Sequence, residues 1–237
     1  MADPLTPPIR RIVWPAATRI IASRHPPIDL YERVSPDPAI RDALIAAEML
    51  TNPRLRDEVG EIGLVAAEDR VSGPGATWVM ASFTHLNPQG SRFSNGKWGV
   101  YYAAEDRATA IAETIHHFGR YASDAGDGPR YEDMRVLVGR IDASLHDLAA
   151  VPTEAGAAVL DPEDYTAGQS LAARLKAADS NGVHYPSVRR PGGRCVGAFR
   201  PRVVGLPIQA GHLTYHWDGE RVRRYFDYGT DDWVDLA

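Results

Sequence analysis

At 237 residues, with 44% apolar and 24% charged side chains, the chain has the composition of a folded domain and excludes wholesale disorder. Its 26 basic against 31 acidic residues leave a net charge of −5, which argues against a dedicated nucleic-acid binder, because phosphate contacts need a basic surface. The single cysteine, Cys195, excludes an internal disulfide and a cysteine-based zinc site.

In chain order, residues 1–13 are expected to form an N-terminal tail, with Pro4, Pro7 and Pro8 and few apolar anchors. They lack the basic-then-apolar order of a secretion signal, and no apolar run approaches the ~20 residues that span a bilayer, so a cytoplasmic protein is expected. Pro26-Pro27 forces an extended path. Ser35-Pro36-Asp37-Pro38 opens a helix that Ile40, Leu44, Ile45 and Met49 continue at helical spacing, ended by Asn52-Pro53. Ser72–Gly75 and Asn87–Lys97 read as loops, and Trp78–Phe83 between them as a strand. Gly99–Ala104 is a second strand. Ala108, Ile111, Ala112, Ile115 and Phe118 then fall at i, i+3, i+4, i+7 spacing, the pattern of an amphipathic helix.

Tyr121–Tyr131 is polar and reads as an exposed loop, followed by a strand over Met134–Ile141. Asp161-Pro162 signals a helix running to Ala178. Gly182–Pro186, Arg194–Phe199 and Arg202–Leu206 are strand candidates. Asp218-Gly219 between Leu213–Trp217 and Arg221–Phe226 marks a hairpin. No linker divides 14–237, so the expectation is one α+β domain with small mixed or antiparallel sheets flanked by helices.

Standard chemical motifs are missing. There is no Walker loop, no G-x-G-x-x-G and no G-x-S-x-G elbow. His116 and His117 are adjacent, so on a helix they point about 100° apart and cannot share a metal, and no metal site is expected. Cys195 sits in an apolar strand candidate as a buried inert thiol. Glu113 lies about 160–200° from the apolar stripe of its helix, which by itself says only that it avoids the core. Arg92 in a polar loop and Ser187 after a proline are equally uninformative alone. Residue types and spacing therefore end at a soluble α+β domain.

Three segments carry a resemblance. Gly90-Ser-Arg-Phe-Ser-Asn-Gly96 precedes Gly99-Val-Tyr-Tyr-Ala-Ala and a helix bearing Glu113. Gly182-Val-His-Tyr-Pro-Ser-Val-Arg189 follows. Thr18-Arg-Ile-Ile21 runs into His25-Pro-Pro-Ile-Asp-Leu30. Together, over about 14–206, they resemble the RES domain family, named for an arginine, a glutamate and a serine. Phe93 stands where the family commonly has tryptophan, and the resemblance assigns no role to the hairpin at 213–228.

The resemblance implies a fold similar to ADP-ribosyltransferase toxins and a toxin role in a toxin–antitoxin pair, neutralised by an Xre-type partner. It implies that NAD+ is a substrate rather than a cofactor, cleaved at the nicotinamide–ribose bond by water or phosphate. Glu113, Arg92 and Ser187 are then the catalytic candidates. Arg19, Tyr102 and Gln169 are the substrate-binding candidates, with Tyr102 rather than Tyr101 facing the cleft because neighbours on a strand alternate. ADP-ribose transfer to a protein is the alternative activity. A protein that has lost turnover and only binds a partner is the second. No direct nucleic-acid or membrane contact is expected, a homodimer is left open, and the 121–131 loop is an expected antitoxin contact.

Overall fold

The computed structural model describes residues 5–24 and 60–236, together with positions 37, 39, 40, 43, 44 and 47. Of the helix expected from residue 35, Ala39, Ile40, Ala43, Leu44 and Ala47 are described and are helical; the acceptor of the Ala39 N–H is Asp37, at 2.9 Å, whereas the sequence points to Ser35 as the cap, a residue outside those described. Ile45, Met49 and the 25–30 segment lie outside the described residues.

The elements are β1 (Ile9–Ala22), α1 (Ala76–Thr84), β2 (Tyr101–Ala104), α2 (Arg107–Ala125), β3 (Arg130–Asp147), α3 (Thr153–Gly156), α4 (Thr166–Ala177), β4 (Gly182–Pro186), β5 (Arg194–Ala198), β6 (Ile208–Trp217), β7 (Val222–Asp227) and β8 (Asp232–Asp235). The expected mixed α+β architecture is present. All eight strands join one sheet in the order β1-β2-β5-β4-β3-β6-β7-β8. The β3–β4 pair is parallel and the others antiparallel.

The long strand β3 organises the sheet. It pairs with β1 from Ile9↔His146 to Ala22↔Met134, and with β6 from Arg130↔Trp217 to Val138↔Ile208. Because β1 also touches β2 at Thr18↔Ala104, strands β1, β2, β5, β4 and β3 close a ring. The β1–β3 register shifts between Trp14 and Ala17, where Pro15 has no N–H to give the ladder. Strand β1 corrects the tail expected over 1–13: residues 9–13 are paired with β3. None of the helices among the described residues is long and apolar enough to cross a membrane.

Three further expectations are corrected. Trp78–Phe83 is not a strand but most of α1, whose buried Ala76, Val79 and Phe83 follow helical rather than alternating spacing. Tyr121–Tyr131 is not one loop: α2 runs to Ala125 and β3 begins at Arg130. Arg202–Leu206 is no strand; a single turn at Pro201–Val203 leads into an isolated bridge, Ile141↔Val204. The Asp218-Gly219 hairpin is present as β6–β7, with Asp218 Oδ1 accepting the Glu220 and Arg221 N–H groups at 2.8 Å.

Helix α2 is the element that matters for the site. Asp106 caps its start, accepting from Thr109 N at 2.9 Å and Thr109 Oγ1 at 2.7 Å. Gly126 ends it in the left-handed region at φ 68°. Ile111, Phe118 and Ala122 bury its apolar face against a core that includes Leu171, Tyr215 and Trp217. A second core, with Trp14, Val79, Phe83, Tyr101 and Val196, lies on the other side of β2 and β5.

Candidate active site

The polar side of α2 forms one wall of a cavity of about 920 Å³. Glu113, His117, Arg120 and Asp124 all line it. Their spacing of i, i+4, i+7 and i+11 keeps them on one face of the helix. Arg19 from β1, Ser91 and Arg92 from the loop before β2, Tyr102, Tyr165 and Cys195 complete the part that concerns chemistry. The site thus draws on three strands, one helix and two loops around the closed ring.

Glu113 is fixed from behind. Ser187 Oγ donates to Glu113 Oε1 at 2.6 Å. The same Oγ accepts from Arg189 N at 3.2 Å and Arg190 N at 3.0 Å. A hydroxyl has one proton and two lone pairs, so with both lone pairs engaged by backbone donors its proton goes to the carboxylate. Ser187 itself is not among the residues lining the cavity. It positions Glu113 rather than facing the open space.

The thiol of Cys195 lies 3.9 Å from Glu113 Oε1. Burial, then the Glu113 charge, push its pKa far up, so it is a neutral S–H against the carboxylate and no nucleophile. The Tyr102 hydroxyl is pushed up to about 12, chiefly by burial. It shares a hydrogen bond with Ser91 Oγ at 2.8 Å and accepts from Phe93 N at 3.0 Å. Tyr101 is 2% exposed in the second core, so of the two tyrosines it is Tyr102 that meets the cavity. The Tyr102 ring stacks on Phe93, which is fully buried and meets Tyr185 edge-on at 5.0 Å.

Arg92 is 7% exposed. Its guanidinium donates to the Asp161 carbonyl at 2.5 Å and the Val159 carbonyl at 3.4 Å, and lies 4.6 Å from the centre of the Tyr165 ring. Carbonyl acceptors orient it without neutralising its charge. Gln169 does not line the cavity as expected; its Nε2 donates to Ser91 O at 3.1 Å and so holds the loop that carries Arg92. Arg19 donates to Tyr102 O at 2.9 Å and lies 4.6 Å over the Tyr101 ring, while its Nε has no partner. Burial pulls the Arg19 pKa down, against the opposing effect of the two tyrosines. It remains a cation at neutral pH, as arginine does in proteins.

Sequence reasoning missed His117, Arg120, Asp124 and Tyr165. The signal was present in the spacing that links the first three to Glu113. The His117 ring is open to solvent yet crowded by the neighbouring wall; desolvation there, followed by His116, Arg189, Arg92 and Arg120, lowers its pKa below the usual imidazole value, so the ring is neutral at pH 7. Among the described residues no group of three or more metal-ligating side chains converges.

The model of the RES domain matches residues 68–218, well over half of the sequence. The chain belongs to the RES domain family. The match takes in Arg92, Tyr102, Glu113, Gln169 and Ser187 but begins after Arg19 and ends within the β6–β7 hairpin. This RES domain chain is also 33% identical over 204 residues to the Sinorhizobium fredii protein y4oC, covering 86% of this chain and 84% of that one. Among solved structures, a chain of the M. tuberculosis MbcT–MbcA toxin–antitoxin complex aligns with a TM-score of 0.44 at 15% identity, covering 84% of this chain and 86% of that one.

Proposed function

We propose that this RES domain protein cleaves NAD+ at the nicotinamide–ribose bond and acts as the toxin of a toxin–antitoxin pair. The observation that carries the reading is the Glu113 carboxylate on the wall of a large cavity, held by Ser187, with arginines lining the same cavity. Loss of nicotinamide builds positive charge on the ribose ring, as in glycoside cleavage. A fixed carboxylate stabilises that charge where it develops, without reorganising as the bond breaks. Arg92 and Arg19 supply cationic donors for the diphosphate, which guanidinium groups match in charge and geometry. Tyr102 contributes a ring to the wall and a hydroxyl that holds the Ser91–Phe93 loop in place.

Either water or phosphate takes the ribosyl carbon once nicotinamide departs. The family supports a toxin role with NAD+ as a consumed substrate, a cytoplasmic setting and neutralisation by an Xre-type protein, which would also do any DNA binding. The test is incubation of the purified protein with NAD+, with and without phosphate, and weighing of the products by mass spectrometry. ADP-ribose names water as the acceptor and its 1″-phosphate names phosphate. Label from NAD+ transferred to lysate proteins, with no free product, would replace this reading by protein modification. NAD+ left intact in both conditions would overturn it.

A further inference from the structure

Two cationic side chains of the cavity are arranged in a way that the cleavage step alone does not explain. Arg92 comes from the loop before β2 and Arg120 from α2, yet both guanidinium groups lie over the same aromatic ring, Tyr165, at 4.6 Å and 5.7 Å from its centre. Arg120 Nη1 also reaches the Tyr165 hydroxyl at 3.5 Å. All three residues line the cavity. Among the described residues, neither arginine has a carboxylate within ion-pair distance, although Glu113 and Asp124 share the same wall. The neighbouring loop behaves otherwise: Arg189 pairs with Glu163 and Arg190 with Asp106.

Like charges gathered on one ring repel; the ring quadrupole, the carbonyls on Arg92 and water on Arg120 offset part of that repulsion, and an anion between the two guanidinium groups would turn it into net attraction. Arg120 follows Glu113 by seven residues, about 10.5 Å along the helix. A dinucleotide carries its diphosphate a few bonds from the anomeric carbon, and arginine's long side chain covers the remainder. We propose that Arg92 and Arg120, held together by Tyr165, form a two-pronged clamp for the diphosphate of a nucleotide lying along α2, with Arg120 as the prong that selects diphosphate-bearing ligands. The diphosphate supplies two negative charges at ion-pair distance, which none of the described residues does; the Asp161 carboxylate feels the Arg92 charge only from farther away. This assignment rests on NAD+ being the substrate, but the clamp can be read without any turnover.

The experiment is calorimetric titration of the full chain with ADP and with adenosine, wild type beside Arg120→Gln and Arg120→Lys. Arg120 is exposed, so neither change disturbs the core. One charge-assisted contact on an exposed wall corresponds to roughly a tenfold loss of ADP affinity in Arg120→Gln. A smaller loss is expected in Arg120→Lys, which keeps the charge without the fork, and adenosine binding should not change. With NAD+ as substrate, KM should rise more than kcat falls. ADP bound equally well by wild type and Arg120→Gln would overturn the clamp, as would no ADP binding by the wild type. Arg120-dependent ADP binding in a protein that releases no nicotinamide would keep the clamp and remove the cleavage reading.

Discussion

Replacing Ser187 with alanine separates two roles that the serine of this site could fill. The change deletes the O–H that reaches Glu113 Oε1 at 2.6 Å, a length typical of a hydroxyl on a carboxylate. A hydrogen bond to a charged group contributes about 1.5–3 kcal/mol, and the lower end applies because both side chains are only half-buried. The N–H groups of Arg189 and Arg190 lose their acceptor as well, at little cost where water reaches them. A total near 2 kcal/mol lowers the melting temperature by roughly 4–8 °C for a chain of this size. Differential scanning calorimetry reads that shift. In parallel, nicotinamide release should fall about tenfold, the consequence of roughly 1.4 kcal/mol of lost carboxylate positioning, with measurable turnover remaining. A melting temperature within about 1 °C of wild type, below the shift expected for 1 kcal/mol, would refute the hydrogen-bond reasoning. Activity lost to background in a folded Ser187→Ala variant would refute the positioning role and point to a nucleophile.

Other perturbations act on the loop that carries Arg92. A Cβ at Gly168 on α4 would sit 2.5 Å from the Arg92 carbonyl oxygen, so Gly168→Ala must push helix and loop apart. Overpacking of this kind costs about 1–3 kcal/mol, which urea denaturation would show, and KM for NAD+ should rise with it. Tyr102→Phe removes the acceptor of the Phe93 N–H and the partner of Ser91 Oγ inside the protein. Stability should drop by about 1–3 kcal/mol by the same denaturation assay, because the ring stays and only the buried polar contacts go. Cys195 should resist alkylation by iodoacetamide at pH 8 in the native protein and react once urea unfolds it, since burial and Glu113 keep the thiol protonated. Rapid native-state labelling would contradict that environment.

Where local chemistry decided the backbone, it was readable from the residues. Asp218-Gly219 specified its hairpin, and the periodicity from Ala108 to Phe118 specified the middle of α2. Trp78–Phe83 was misread because a short apolar run fits a strand or a buried helix equally well, and only the burial of Ala76, Val79 and Phe83 distinguishes them. The first residues of β1 were misread because their exposed, proline-flanked sequence hides that β3 supplies every partner. The polar run after Tyr121 concealed both the end of α2 and the start of β3, since an exposed helix turn and a loop share a composition.

For the site, Glu113 was visible only as a residue turned away from the core; the likeness to a family selected it. The structure adds what neither could give. Ser187 and Gln169 stand behind the wall and hold Glu113 and the Arg92 loop, whereas Arg120 and Tyr165 belong to the wall itself. Those distinctions depend on contacts between segments about 70–80 positions apart in sequence, beyond the reach of any local pattern.

The measurement closest to the central claim is nicotinamide release from NAD+ by the purified chain, wild type beside Glu113→Gln, with folding of the variant checked by its melting curve. Glutamine keeps the size of the side chain and can still accept from Ser187, but it removes the negative charge that the proposed mechanism sets against the developing positive ribose. The account expects steady release by the wild type and a fall of at least about a hundredfold in Glu113→Gln, the scale of losing one electrostatic stabiliser. Equal release by the two proteins would contradict the role assigned to Glu113, and no release by the folded wild type would contradict NAD+ cleavage itself.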